Sequence, residues 1–176
     1  MALPEYTPVN VPLAERLPFR PAATVVLLRG ASAGPEVLMM RRSTAATHFA
    51  GTFVFPGGVV DPSDSDPRTL RRVVGLSEPD ANRRLGVEGG GIGHWVAVIR
   101  ECFEEAGILL ALEEDGRPIA PERVARLETA RAALNNRSLG FTDFLERERL
   151  LLPAGSVAYF AHWITQIGRA SCRERV

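Results

Sequence analysis

The reading of this chain turns on nine residues: Arg100-Glu101-Cys102-Phe103-Glu104-Glu105-Ala106-Gly107-Ile108. Three carboxylates fall within five positions. On an α-helix each residue turns by about 100°, so with Glu101 at zero, Glu104 lies at about −60° and Glu105 at about +40°. The three acids share one face. Ile99, Phe103 and Ala106 project the other way, flanked by Trp95 and Cys102, which gives a helix with an apolar back and an acidic front. Gly107 supplies its C-terminal stop. Like charges at this spacing repel, and the helix dipole disfavours negative charge in a last turn. A solvated face is the ordinary reading of such a run. No Lys or Arg interrupts the face, however, and a divalent cation would offset the repulsion, since Mg²⁺ takes carboxylate oxygens together with water and phosphate. On spacing alone both readings stand.

The totals narrow the classes. The chain has 176 residues, 45% hydrophobic and 24% charged, as expected for one globular domain with a real core. Its formal charge is zero, which gives no electrostatic case for nucleic acid or a membrane surface. All 21 basic residues are arginine. A Schiff-base lysine and a P-loop lysine are therefore excluded, and a cationic phosphate ligand must be arginine or metal. The two cysteines, Cys102 and Cys172, have no metal-ligand spacing and make no disulfide framework. No basic-plus-apolar leader and no apolar run of spanning length is present, so a cytoplasmic location is the expectation.

Outward from the acidic stretch, the chain divides as follows. Residues 1–21, with five prolines, read as an extended arm. Residues 22–165 read as the domain. Ala22–Leu28 and Glu36–Arg41 flank a Gly-Pro turn as a buried strand and its hairpin partner. A polar loop through His48 leads to a short strand at Thr52–Phe55, and Pro56-Gly57-Gly58 follows. Residues 61–94 read as an insertion too poor in apolar residues to own a core, with a short helix near Arg68 and a flexible glycine-rich lead-in at 86–93. Helices are expected over 121–134 and 141–150, and a strand over Ser156–Thr165. His94 should cap or precede the acidic helix, His162 should pack in the last strand, and Tyr159 and Trp163 should join the core. Residues 166–176 continue no pattern and read as a non-native tail, with the fold cut off after about Thr165.

With these residues placed, a family emerges. Gly58, a later acid, and Arg100 to Ile108 resemble the box of the Nudix hydrolases, G-x5-E-x7-R-E-U-x-E-E-x-G-U with U bulky and apolar. The second half matches at every fixed position if Cys102 serves as U. In the first half Asp64 stands where the pattern has Glu, and residues 59–99 give 41 positions where the pattern has 13, so 28 are extra. Asp64, Asp61 and Glu88 are the candidates for the displaced acid. Val37 to Gly58 is similar to the strand, loop and F-P-G-G entry of the coenzyme A and peroxisomal branch, some of whose members carry an insertion inside the box.

The resemblance implies an α/β fold, an α/β/α sandwich with a mixed β-sheet. It implies Mg²⁺ or Mn²⁺ held by Glu101, Glu104, Glu105 and the main chain at Gly58, and water attack on a diphosphate. Gly57 and Gly58 match the turn where a carbonyl approaches the ion, and Arg100 matches a residue that braces the site through ion pairs. The general base stays open. Arg41 and Arg42, leaving the second strand, and His48 are candidate substrate contacts, against the alternative that they are plain surface residues. The substrate implied is coenzyme A or acyl-CoA, then ADP-ribose or another nucleoside diphosphate derivative. The expected partner is a small-molecule diphosphate, with a homodimer allowed and neither nucleic acid nor membrane. Two other classes remain in view: a catalytically silent nucleotide-binding module, and a serine hydrolase using Ser32 of Gly30-Ala31-Ser32-Ala33-Gly34. The last is disfavoured because this stretch runs into a Pro turn rather than a helix.

Overall fold

The first strand alternates rather than being buried throughout: Ala23, Val25 and Leu27 turn inward, while Val26 and Leu28 are exposed. A computed structural model describes residues 20–44 and 51–162. The expectations for His48, Trp163, the tail at 166–176 and nearly all of the arm lie outside the described residues. Residues 21–162 form one compact unit. β1 (Ala22–Thr24) pairs antiparallel with β6 (Gly57–Val59), with Thr24 opposite Gly57. β2 (Leu28–Ala31) and β3 (Gly34–Val37) form the expected hairpin, and Ser32 sits in its exposed turn. β4 (Met40–Arg41) pairs with β5 (Phe53–Val54). Hydrogen bonds from Val25 N to Pro56 O and from Leu38 N to Leu27 O carry the pairing across the breaks. Because side chains alternate across a strand, Val26, Leu28, Val37, Met39 and Phe53 share one sheet face. That face is exposed among the described residues, with Leu28 at 66% and Phe53 at 65%.

The other face packs on α3 (Gly91–Ala106), the acidic helix. Val96, Ile99, Cys102 and Phe103 of this helix are fully buried, as the period of its apolar residues requires. Phe103 stacks on Phe144, with ring centroids 5.6 Å apart, and Phe141 follows at 6.2 Å. Truncating a buried Phe of this kind costs about 3–5 kcal/mol, so this cluster anchors the helix on which the acids stand.

The insertion is built differently from the expectation. α1 (Pro67–Leu70) is the short helix near Arg68, but α2 (Glu78–Leu85) is a second one. Its sequence signals are Ser77 as N-cap, Pro79 in the first turn and Gly86 in the left-handed conformation at the end. Ala81 of α2 is buried with Ile92, Trp95 and Ala154, with Leu70, Val73, Leu85 and Tyr159 packed around them. The segment thus shares a small core with the start of α3 and the end of the described chain. The glycine-rich lead-in is ordered rather than a hinge. Gly90 N donates to Glu78 Oε1 at 2.7 Å and Gly91 N to Asn82 Oδ1 at 2.8 Å, so α2 caps the free amides at the N-terminus of α3. His94 lies inside α3 rather than ahead of it.

The later half also departs from the expected elements. The helix over 121–134 is three pieces: α4 (Pro121–Leu127), a 3-10 turn and α5 (Arg131–Asn135). α6 (Phe141–Arg147) stops early, because Leu150 goes into β8 (Leu150–Leu151), paired with β7 (Leu112–Glu113). Among the described residues the four ladders are antiparallel, and the parallel pairing is a bridge from Val73 to Leu152. The expected strand from Ser156 is irregular as far as it is described, to His162. Its alternation is real, but among the described residues no strand pairs with it. Val157 O instead accepts from Trp95 Nε1 at 2.9 Å, and His162 is exposed, bonded to the Tyr159 hydroxyl. The α/β expectation holds.

Candidate active site at the end of the acidic helix

α3 delivers its last two turns against the turn that opens β6. Glu105 Oε2 accepts from Gly57 N at 3.0 Å. Glu101 lies over Gly58 so closely that a Cβ there would stand 2.4 Å from Glu101 Oε1. At Gly57 a Cβ would stand 2.4 Å from the Ala23 carbonyl oxygen, so the ladder with β1 also requires glycine. The sequence separates Gly57 from Glu105 by 48 positions, and the fold closes that gap to one hydrogen bond.

Beneath the acids lies a buried ion pair. Arg100 donates from Nε to Asp64 Oδ1 at 2.8 Å and from Nη2 to Asp64 Oδ2 at 2.9 Å. Its Nη1 reaches Glu101 Oε1 at 2.7 Å and Glu104 Oε2 at 3.3 Å, and its Nη2 reaches Val59 O at 3.1 Å. Burial alone would lower the Arg100 pKa, but the bonds and charges of Asp64 and Glu101 outweigh it and hold the guanidinium firmly charged. Asp64 is wholly buried. Of the three candidates for the displaced acid, Asp64 is the one that pairs with Arg100. Asp61 caps the 3-10 turn at Pro62–Ser65, with Asp64 returning a bond to its amide. Arg100 also supplies what the face lacked on paper, a cation touching two of its acids.

The acids differ in environment. Glu101 and Glu104 are half-buried and Glu105 is exposed. Burial pushes the Glu104 carboxyl above its ordinary range; Arg100 opposes that shift and the Glu101 charge adds to it. Burial, reinforced by the Glu105 charge, pushes the Cys102 thiol up to about 11. Hard oxygen donors beside a side-chain-free Gly-Gly turn suit Mg²⁺ or Mn²⁺ by chemistry. Yet among the described residues no group of three or more acids, histidines or cysteines is gathered closely enough to hold an ion. The acids turn instead to Arg100 and the Gly57 amide.

Arg41 Nε donates to the Gly51 carbonyl at 3.4 Å, and the Arg42 amide donates to Thr52 O. Among the described residues neither arginine makes a hydrogen bond or ion pair with the three acids. Two residues that sequence reasoning passed over do meet the site: Arg131 and Asn135 donate to the carbonyls of Glu104 and Glu105. A cavity elsewhere, lined by Glu113, Glu114, Asp115, Arg117, Arg123 and Arg149, consists of side chains ion-paired among themselves and, through Glu114, with Arg72.

Known proteins match this chain in sequence and fold. Residues 18–74 match the family model of the NUDIX domain. The match ends inside the insertion, ahead of α3. The chain is 28% identical over 194 residues to an acyl-coenzyme A diphosphatase of Gallus gallus, NUDT19, covering 86% of this chain and 51% of that protein. It thus spans about half the length of that relative. A crystal structure of a NUDIX hydrolase from Alicyclobacillus acidocaldarius is similar with a TM-score of 0.52 and 26% identity, over 78% of this chain and 58% of that one. The box residues, the match over residues 18–74, the relative and the fold point the same way: this chain is similar to the Nudix hydrolases in sequence and in fold.

Proposed function

We propose that the protein is a hydrolase of diphosphate linkages in nucleoside diphosphate derivatives, with coenzyme A or acyl-CoA as the leading substrate. The observation that carries the reading is the meeting of Glu101 and Glu105 with the Gly57-Gly58 turn over the buried Arg100–Asp64 pair. Glu101, Glu104, Glu105 and the Gly58 carbonyl would hold Mg²⁺ or Mn²⁺. When bound, such an ion neutralises phosphate charge and lowers the pKa of water. The chain's own part is to aim the carboxylates. Arg100 holds Glu101 and Glu104 on one side of the helix, and Gly58 leaves the approach free of a side chain. The likeness to the avian acyl-coenzyme A diphosphatase supports the acyl-CoA choice; ADP-ribose is the alternative. A homodimer and a cytoplasmic location belong to this proposal on the sequence reading alone. Among the described residues no helix is long and apolar enough to cross a membrane.

One observation favours a second reading. The first half of the box departs from the pattern, with Asp64 where it has Glu and 28 extra residues ahead of Arg100, as suits a catalytically silent module that binds nucleotides. The serine alternative loses its basis, since Ser32 sits in a hairpin turn with no helix behind it. A panel of diphosphates, each incubated with Mg²⁺ and with chelator, separates the first two. The proposal expects metal-dependent release of phosphorylated products and a loss of about 100-fold or more in Glu105→Gln. Nucleotide binding without turnover, or full Mg²⁺-dependent activity in Glu105→Gln, overturns it.

A further inference from the structure

We infer that Arg131, with Asn135, is a positioning residue that clamps the C-terminal turn of the acidic helix and so sets the metal affinity of Glu104 and Glu105. The inference rests on the proposed metal site. An α-helix ends with unpaired carbonyls and a partial negative charge. In α3 the amides of Gly107 and Ile108 turn back to the Phe103 and Cys102 carbonyls, at 3.0 and 3.3 Å. The carbonyls of Glu104 and Glu105 extend past that closure. Arg131 takes both of them, Nε to Glu104 O at 2.9 Å and Nη2 to Glu105 O at 2.7 Å. Asn135 Nδ2 adds a bond to Glu104 O at 3.3 Å. Glu128 Oε1 accepts from Arg131 Nη1 at 2.8 Å and fixes the guanidinium plane. Gly107 makes room for it, since a Cβ there would stand 3.0 Å from Nη1.

The two carbonyls belong to two of the three acids. A planar guanidinium spanning both fixes the φ/ψ angles from which the carboxylates project, and it places positive charge at the negative pole of the helix. A lysine in its place brings the charge but not the fork. Without either, the last turn is free to fray, and the carboxylates of Glu104 and Glu105 lose the fixed backbone from which they project.

The test is direct Mn²⁺ binding, without substrate, to wild type, Arg131→Met, Arg131→Lys and Asn135→Ala, with thermal midpoints measured alongside. Support takes the form of a loss in Mn²⁺ affinity of roughly 10-fold or more in Arg131→Met, partial recovery in Arg131→Lys, a smaller loss in Asn135→Ala, and midpoints close to wild type. A purely structural role would move the midpoint and leave the affinity of the folded protein alone, which overturns the clamp. If Arg131→Met does not fold, Asn135→Ala and Arg131→Lys carry the comparison, and unchanged affinity in both again overturns it. Failure of the wild type to bind Mn²⁺ overturns the metal site itself, and the clamp's role with it.

Discussion

Asp64→Asn is the sharpest perturbation the structure offers. The substitution keeps the shape of the side chain and removes one charge from a pair in which Asp64 is wholly buried and Arg100 is 8% exposed. Breaking a buried ion pair by removing one partner costs about 3–5 kcal/mol, because the remaining charge is left uncompensated. Arg100 keeps Glu101, Glu104 and Val59 O, and the Asn oxygen keeps one acceptor, so the loss falls at about 3 kcal/mol, the low end of that range. For a chain of this size each kcal/mol moves the thermal midpoint by about 2–4 °C, which gives a fall of about 6–12 °C. Calorimetry of the single variant reads it. The same substitution in an Arg100→Met background should cost much less, since the charge it would strand is already gone. An equal loss in both backgrounds, or a fall of under about 2 °C in the single variant, refutes the reasoning.

Three further outcomes follow from the same geometry. Gly58→Ala places a methyl 2.4 Å from Glu101 Oε1, and the flexible Glu101 end swings aside; stability should change by less than about 1 kcal/mol while Mn²⁺ affinity drops by roughly 10-fold, and unchanged affinity contradicts the placement. Asp61 accepts from the Ser63 hydroxyl and amide, bonds that hold its carboxyl below its ordinary value of 3.8. Its stabilisation is present above that value and lost as pH falls through the lower folded one. Asp61→Ala should therefore cost about 1 kcal/mol at pH 7 by urea titration, with the gap from wild type closing in acid; a gap that does not change with pH counts against the cap. Cys102 is buried with its thiol pushed up to about 11, so in a Cys172→Ser background a thiol reagent at pH 8 should label the protein only after denaturation. Labelling of the native protein at a free-thiol rate disproves its burial.

Local patterns in the chain were legible where they carried their own physics. The acidic helix was read to its end because apolar period, acid spacing and the Gly107 stop agree within one element. The hairpin at Ser32 and the strand before Gly57 were legible for the same reason. The Ser156 strand misled, because alternation shows which residues could face a sheet and not whether a partner strand is there. α2 carried a full set of capping signals, Ser77, Pro79 and Gly86, obscured by the low apolar content around them.

By itself the sequence determined the three acids of one helix face and the helix that presents them, since these depend on spacing within a few turns; Gly57 and Gly58 entered only through the family resemblance, and the fold set them opposite the acids. Tertiary structure decided the rest. It chose Asp64 over Asp61 and Glu88 as the partner of Arg100, turned the insertion into the cap at the start of the acidic helix, and brought Arg131 to its end. Each of these is a contact between residues far apart in the chain. Its energy comes from burial and hydrogen bonds that exist only once the separate elements are packed, and no local period records it.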